Sequence, residues 1–263
     1  SLRRRQRQMC IRDRGYLCDG DMFDTGVEGI CHACRLPGLE AEGIFTHFAV
    51  SDEDDGECEA YTRDQFALFM KVLDALAEKG RTFPIRHCAN SGAVESYPEM
   101  ALDMVRPGIA LYGVGADAAR LGLKPVMALK SSVSTIKIFD PDTDISYGRT
   151  YRTQGKTRIG VLPIGYADGL FRGLSNRLSV VTEQGPAPIR GRICMDMTMV
   201  DLTGLTEVKV GSEVEIFGRR QSVDRLAEML DTISYELLCA VSKRVPRVYL
   251  RDGQVVERTL RLQ

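Results

Sequence analysis

A single arginine interrupts an apolar run in the segment LDMVRPGIALYG, residues 102–113. Arg106 follows two apolar residues, and a Pro-Gly pair comes directly after it. An arginine in apolar surroundings needs a partner, because an unpaired buried charge is costly. A permanent cation beside the main-chain N–H groups of a turn suits a ligand that carries negative charge.

Two other predicted strands also end in residues that can bind ligands. The stretch THFA contains His47, and HCANSG contains Asn90 and Ser91. Ser91 begins a predicted helix, where free N–H groups and a hydroxyl suit a phosphate, and Gly108 and Ile109 add N–H groups from a second turn. The pattern predicts a site for a phosphorylated cofactor, with the arginine facing another part of it. Taken singly, each residue also fits a structural role as a cap, a turn residue or a core histidine.

The second half of the chain has its own polar strand ends. Tyr147 lies in SYGRTY, Tyr166 and Arg172 lie in PIGYADGLFR, and Met195 and Asp196 lie in GRICMDMTMVD. Each of these fits a strand-end aromatic or an ordinary turn when it is taken alone. So many polar strand ends in one chain indicate a functional site.

The elements that position the first group alternate between strand and helix. A strand is expected at 43–50, and a capping box at Thr62 and Gln65 precedes an apolar helical repeat that ends at Gly80. FPIRHCANS and LDMVRPG are predicted to be further strands, separated by a short helix in GAVESYPEM. This order predicts βαβ units with parallel pairing.

The sequence pattern changes near residues 118–127. Short apolar runs separated by Gly, Pro and Asp predict an all-β barrel or sandwich, interrupted by the helix SVDRLAEML with Ser222 as its N-cap. The predicted domains are therefore 15–120, a (β/α) portion, and 121–263, a mainly β portion.

Composition narrows the class of protein. The chain has 263 residues, of which 44% are hydrophobic and 27% charged, and no apolar run is long enough to span a membrane. Its eight cysteines have no framework spacing, which is typical of reduced thiols in a cytoplasmic protein. The isolated CHAC pair at 31–34 lacks the second pair of a zinc site, so no metal is expected.

Residues 1–14 differ from the rest, with six arginines and one aspartate. They are interpreted as foreign sequence joined to the protein at about Gly15. Binding to nucleic acid or to an anionic membrane would depend on this arm alone, and neither partner is expected.

Seven motifs in order resemble the alanine racemases, pyridoxal-phosphate enzymes of fold type III. They are EGIFTHFAVSDE, HCANSGAV, DMVRPGIALYG, SYGRTY, LPIGYADGLFR, GRICMDMTMVD and TISYELLCAVSKRVPRVY. The resemblance implies the C-terminal portion of a (β/α)8 TIM barrel followed by a mainly β-barrel domain, in a homodimer with active sites at the interface. It also implies interconversion of L- and D-alanine, which supplies D-alanine for peptidoglycan.

The resemblance implies a role for each candidate residue. Arg106 would hydrogen-bond the pyridine nitrogen of the cofactor and make the ring a weaker electron sink, since a guanidinium stays protonated. His47 would link that arginine to the catalytic tyrosine. The phosphate would lie at Ser91, Gly108 and Ile109, with Asn90 beside it. Tyr147 would be one of two acid/base groups, supplied across the dimer interface. Tyr166 and Arg172 would lie at the substrate entrance, and Met195 and Asp196 beside the substrate carboxylate.

The sequence departs from the family at the cofactor lysine. Its eight lysines include none in the motif that carries the cofactor. The chain is therefore expected to be an N-terminally truncated racemase, inactive alone. Lys243 stands where many relatives have a tyrosine that contacts the phosphate, and both a phosphate contact and a solvent-exposed position remain open for it.

Three alternatives are distinguishable. A racemase of serine or of many amino acids would keep the same motifs. A basic amino acid decarboxylase of this fold type would show other motifs and a cysteine acid. A non-catalytic pyridoxal-phosphate binding protein would lack the β-rich half, and with it Tyr147 and the Met195–Asp196 pair.

Overall fold

The computed structural model describes residues 20–115, 118 and 120–260. The arginine-rich segment 1–14 lies outside the described residues. The chain divides into two compact units, Ser1–Leu111 and Tyr112–Gln263.

The helices and strands follow the order expected for an α/β part and a β-rich part. The helices are α1 Gly20–Ala33, α2 Gly56–Glu78, α3 Ser91–Ser96, α4 Val223–Leu230 and α5 Ser234–Ala240. The strands are β1 Gly43–Phe45, β2 Ile85–His87, β3 Leu129–Ser132, β4 Thr135–Phe139, β5 Asp144–Ile145, β6 Tyr151–Arg152, β7 Thr157–Leu162, β8 Ser179–Thr182, β9 Gly185–Pro188, β10 Thr198–Asp201, β11 Glu213–Phe217, β12 Arg247–Arg251 and β13 Gln254–Thr259.

The first unit is built on a βαβ element, as predicted. Strands β1 and β2 pair in parallel, with Phe45 opposite His87, and α2 connects them. Both strands therefore end at the same edge of the sheet, where the next residues of each can meet. The apolar core of this unit includes buried side chains of α1, α2 and β1, among them Val27, Ile44, Phe69, Val72 and Leu76.

Helix α2 begins earlier than the sequence predicted. Its N-cap is Asp55, whose carboxylate accepts the N–H of Cys58 at 2.8 Å. Residues 56–59 form the first turn, where the negative charge of Glu57 and Glu59 is favourable at a helix N-terminus. The predicted capping box at Thr62 and Gln65 is wrong, since the Thr62 hydroxyl bonds within the helix to the Cys58 carbonyl. Gly80 ends the helix in the left-handed region, at φ +69°, as predicted.

The segment LDMVRPG is not a strand. Leu102 adopts a left-handed φ of +53°, which interrupts an extended backbone. The segment still follows β2, because Asp103 N–H donates to the Arg86 carbonyl at 3.0 Å and Arg106 N–H donates to the Ala89 carbonyl at 2.9 Å. The Asp103 carboxylate also accepts the main-chain N–H and the guanidinium of Arg86, at 2.8 and 2.7 Å. These contacts fix the backbone that carries Arg106.

The second unit is mainly antiparallel β-structure. One sheet has the order β10-β7-β4, and another has the order β3-β11-β8-β9. Its buried core includes Leu162, Val180, Ile189, Val200 and Ile216. Among the described residues neither unit contains a closed barrel, so the expected barrels correspond here to a two-stranded parallel pair and to open sheets.

Two short helices lie near the end of the second unit. Helix α4 has the predicted N-cap, since the Ser222 hydroxyl accepts the N–H of Asp224 at 3.1 Å. Helix α5 was not anticipated from the sequence, and no side-chain cap marks its beginning. In the part of the chain that the structure describes, no helix is both long and apolar enough to cross a membrane.

Candidate functional site

Arg106 lies across the ends of both parallel strands. One guanidinium nitrogen, Nη2, donates to the carbonyl of Thr46 at 3.0 Å and lies 3.1 Å from Nδ1 of His47. The guanidinium carbon is 5.1 Å from the ring centroid of Phe45, a cation–π distance. The half-buried cation is therefore held by the residues that follow β1, which explains how an arginine is accommodated in an apolar segment.

His87 is a second partner of Arg106. Its Nδ1 is in close contact with Nη1 of the guanidinium, so this nitrogen must accept the hydrogen bond. The ring stacks on Phe45, with centroids 5.0 Å apart and planes 11° apart. Burial, and then the Arg106 charge, lower the pKa of His87. The neutral imidazole is thus the form that the site favours.

Ser91, Gly108 and Ile109 come together beside α3. The Ser91 hydroxyl accepts the N–H of Ala110 at 3.3 Å, and a Cβ built on Gly108 would lie 4.0 Å from that hydroxyl oxygen. Within the described chain, the N–H groups of Gly108 and Ile109 donate to no oxygen. A buried hydroxyl beside unused N–H donors fits an anionic group such as a phosphate.

Asn90 organises this edge of the unit. Its side-chain oxygen accepts the N–H of Ala93 at 3.0 Å, which makes it the N-cap of α3. The same oxygen accepts the Ser51 hydroxyl at 2.7 Å, and the amide nitrogen donates to the carbonyl of Phe48 at 3.4 Å. Asn90 therefore ties the loop after β1 to the start of α3, next to the Ser91 hydroxyl.

Tyr147 occupies a tight turn between β5 and β6 in the second unit. Its side chain is 71% exposed. The preceding Ser146 hydroxyl donates to the carbonyl of Arg192 at 2.6 Å, and its oxygen lies 3.7 Å from the Cys194 sulfur. The turn is thus joined to the segment that leads into Met195.

Tyr166 and the Met195–Asp196 pair form one surface. The N–H of Tyr166 donates to the carbonyl of Cys194 at 3.0 Å, and Ala167 N–H donates to the carbonyl of Met195 at 2.9 Å. A Cβ on Gly165 would lie 2.2 Å from the Cys194 carbonyl oxygen, so only glycine allows this approach. The side chains of Tyr166, Met195 and Asp196 are all exposed beside this contact.

Asp168 links the Tyr166 turn to the chain after α5. Its carboxylate accepts Gly165 N–H at 2.9 Å with one oxygen and Arg244 Nε at 2.7 Å with the other. The hydrogen bond that Arg244 donates to Asp168 raises the pKa of Arg244. The neighbouring Lys243 is exposed. Among the described residues, Arg172 makes no hydrogen bond or ion pair with the other residues predicted for the substrate side.

Family models match both units. The model described as alanine racemase, N-terminal domain, matches residues 22–116, and that described as alanine racemase, C-terminal domain, matches residues 126–249. The chain belongs to the alanine racemase family. The predicted motifs lie inside these two ranges.

Similar racemases are much longer than this chain. An alanine racemase of Desulforamulus reducens is 47% identical over 232 residues, which cover 86% of this chain and 62% of the relative. One from Clostridium perfringens is 41% identical and covers 89% of this chain and 62% of the relative. The chain therefore spans about 62% of the length of these curated relatives.

Solved alanine racemases share the backbone. A Clostridium difficile alanine racemase in complex with cycloserine superposes with a TM-score of 0.84 at 40% identity, covering 90% of this chain and 63% of the other. The Bacillus anthracis enzyme with bound L-Ala-P gives a TM-score of 0.79 at 35% identity, covering 91% of this chain and 61% of that one.

Sequence reasoning gave no role to four residues of these regions, namely His87, Asp144, Asp168 and Arg244. His87 was quoted in HCANSG without a role, although its place at a strand end matches that of His47. Asp168 and Arg244 lie inside quoted motifs, but no local pattern reveals a pair that is 76 positions apart. Asp144 lies just before SYGRTY, and its partners Arg149 and Arg152 are in an irregular turn. In the described part of the chain no cluster of His, Cys, Asp and Glu could hold a metal ion.

Proposed function

We propose that the protein containing this chain interconverts L- and D-alanine with pyridoxal 5'-phosphate as cofactor, and that it supplies D-alanine for peptidoglycan. Family membership supports racemisation of alanine. The observation that carries the proposal is Arg106, a cation fixed at the ends of two parallel strands. The nearby N–H groups of Gly108 and Ile109 donate to no oxygen among the described residues.

The residues of the first unit suit pyridoxal phosphate in both charge and position. Ser91, Gly108 and Ile109 would hold the phosphate, and Asn90 would keep their backbones in place. Arg106 would face the pyridine nitrogen and, as a permanent cation, would donate to it without giving up a proton. When bound, the cofactor supplies an electron sink that makes the α-proton of the amino acid removable.

Tyr147 would hold and move the proton on one face of the substrate. Racemisation by two bases requires a separate group on each face, so Tyr147 cannot serve both. Because its side chain is 71% exposed, it is available to a second copy of the protein. His47, 3.1 Å from Arg106 Nη2, would connect that cation to the tyrosine. We therefore propose a homodimer in which Tyr147 acts on the site of its partner.

The exposed surface of Tyr166, Met195 and Asp196 would meet the substrate. Met195 and Asp196 would lie beside its carboxylate, and Tyr166 and Arg172 would line the entrance. The 263 residues alone are proposed not to racemise, because none of their lysines stands in the cofactor motif. A cytoplasmic location is proposed, supported by the free cysteines of the described chain.

The proposal is tested by completing the chain. A chimera would join it to the part of the Desulforamulus reducens relative that lies outside the matched 62%. With pyridoxal phosphate it should convert L-alanine to D-alanine, measured by chiral chromatography. A folded, cofactor-loaded chimera without this activity would overturn the proposal.

The role of Tyr147 is tested in the same chimera. In deuterium oxide, Tyr147→Phe should lower α-proton exchange of one alanine enantiomer by about 10²–10⁴-fold and spare the other, because one acid/base group is lost. Tyr249→Phe, which alters another exposed tyrosine, is the matched control. Equal loss for both enantiomers would contradict the assignment.

A further inference from the structure

We propose that Asp144 is a positioning residue for Tyr147, acting through a clamp that holds the Tyr147 turn, residues 144–152, in a strained conformation. The inference rests on the proposed acid/base role of Tyr147. It adds a residue outside the motif that identified the tyrosine.

The Tyr147 turn is strained on both sides of the tyrosine. Ser146 adopts φ 66° and ψ 179°, a region that is essentially restricted to glycine. Arg149 is left-handed at φ +53°, and Gly148 at φ +72°. Non-glycine residues persist in such conformations only where surrounding contacts hold them there. The strain therefore requires a restraint close to Tyr147.

Asp144, at the start of the turn, supplies this restraint. Its carboxylate accepts Arg152 Nε at 2.9 Å and Arg152 Nη2 at 3.0 Å, a bidentate pair. It also binds Nε of Arg149, two residues after Tyr147. Asp144 is only 23% exposed, and its hydrogen bond with Arg152 lowers its pKa to about 2. One carboxylate thus links the strand before the tyrosine to Arg149 and Arg152, which follow it.

Further contacts fix the sides of the turn. The Ser146 hydroxyl is bound to the Arg192 carbonyl at 2.6 Å, which turns that side chain inward. A Cβ built on Gly191 would lie 2.6 Å from the Ser146 Cβ, so the two segments are in close contact. Asn176 donates to the Thr150 hydroxyl oxygen at 3.2 Å.

The consequence is a fixed backbone that presents an exposed side chain. The residues around Tyr147 are engaged with their own unit, while the tyrosine itself is largely exposed. A proton-transfer group needs a defined position, and here the second unit defines it before any cofactor or substrate binds. Asp144 contributes by holding Arg149 and Arg152 together.

Asp144→Asn tests the clamp in the full 263-residue chain, since it keeps the shape and removes the charge. Amide hydrogen exchange in 146–150 should become about tenfold faster, with β7 unchanged. Trypsin cleavage after Arg149 should accelerate to a similar degree. With 3-fluorotyrosine incorporated, the fluorine resonance of Tyr147, assigned with Tyr147→Phe, should move toward that of the free amino acid.

The matched control is Glu213→Gln, which removes an exposed ion pair with Lys130 elsewhere in the same unit. It should leave the Tyr147 turn unchanged. Arg152→Gln, which keeps the hydrogen bond that Arg149 donates to Asp144, should give an intermediate effect. Unchanged exchange in Asp144→Asn, or an equal increase in the turn and in β7, would overturn the proposal. None of these readouts requires a cofactor, so a failed racemase assay would refute the proposed function without affecting this result.

Discussion

The two candidate regions hold their key residues in opposite ways. Arg106 is half-buried, and it is surrounded by carbonyl groups, two histidines and an aromatic ring from the ends of β1 and β2. Tyr147 is exposed on an irregular turn whose backbone, rather than its side chain, is restrained. The first region embeds a charge, and the second exposes the tyrosine that is proposed to transfer a proton.

This difference follows from what each residue is proposed to do. A cation that tunes a cofactor benefits from low solvent exposure, where its interactions are stronger. A tyrosine that serves another subunit must remain exposed, so its own unit can position only the backbone beneath it. Variants of the first region should therefore lower the rate of the reaction, whereas variants of the second region should disturb the local backbone structure.

The largest effect is expected at Arg106. Arg106→Leu in the completed chimera should lower kcat by about 10²–10³-fold, the usual effect of removing one preorganised electrostatic partner. The kcat of Arg106→Lys should lie between those of the parent and of Arg106→Leu, because lysine keeps the charge but lacks the planar guanidinium. Racemase kinetics with saturating pyridoxal phosphate would measure both.

Arg172→Leu is the control for this prediction. It removes an exposed arginine that makes no ion pair with the other predicted substrate-side residues in the described chain. Its kcat should remain within a few-fold of the parent, with any loss in KM. If both arginine variants lost activity equally, the contrast between an embedded and an exposed arginine would be wrong.

Gly165→Ala should disrupt the packing of the second region through a steric clash. The new Cβ would lie 2.2 Å from the Cys194 carbonyl oxygen, so the Tyr166 turn must separate from the Met195 segment. We expect about 3 kcal/mol of destabilisation, measured by urea unfolding of the 263-residue chain. Gly155→Ala is the control, since nothing lies within 4 Å of its Cβ. A similar small loss in both variants would show that the close contact is unimportant.

The first region was largely predictable from sequence. Strand order and the polar residues after each strand identified His47, Ser91 and Arg106, because parallel strands bring their ends together. The hydrogen bond from Arg106 to Thr46 spans 60 positions, and no local pattern reveals it. The left-handed Leu102, which breaks the predicted third strand, is also invisible to propensity rules, since leucine rarely adopts that conformation.

The second region was predictable only as a set of motifs. Tyr147 and Tyr166 were identified, but the residues that hold their turns were not. Asp144 and Asp168 are acidic residues among many, and their partners are defined by tertiary structure. Helix α5 was missed because it is short and begins without a side-chain cap.

A smaller effect is expected from Asp168→Asn. The carboxylate is 12% exposed and its partner Arg244 is 43% exposed, so the pair is only partly desolvated. We expect a loss of about 1–2 kcal/mol, between the values for surface and buried pairs. Calorimetric unfolding of the chain measures it, and Glu213→Gln, at an exposed pair, should cost less. If the two variants cost the same, the Asp168–Arg244 pair contributes no more than a surface ion pair.

The smallest effect should appear with pH, in the first region. Because the pKa of His87 is lowered in the folded chain, the unfolded state binds its proton first as the pH falls. The contribution of His87 to folding stability should therefore be complete above the ordinary histidine pKa of about 6.5, and it should be lost as the pH falls through the lowered pKa of the folded chain.

His87→Asn keeps an acceptor near the position of Nδ1 but cannot titrate, so it should flatten this part of the curve of stability against pH. The matched control is His32→Asn, which changes an exposed histidine of α1. Urea midpoints between pH 7.5 and 5 provide the measurement. An unaltered slope in His87→Asn would mean that a positive charge is tolerated beside Arg106, and that the first region does not depend on a neutral imidazole.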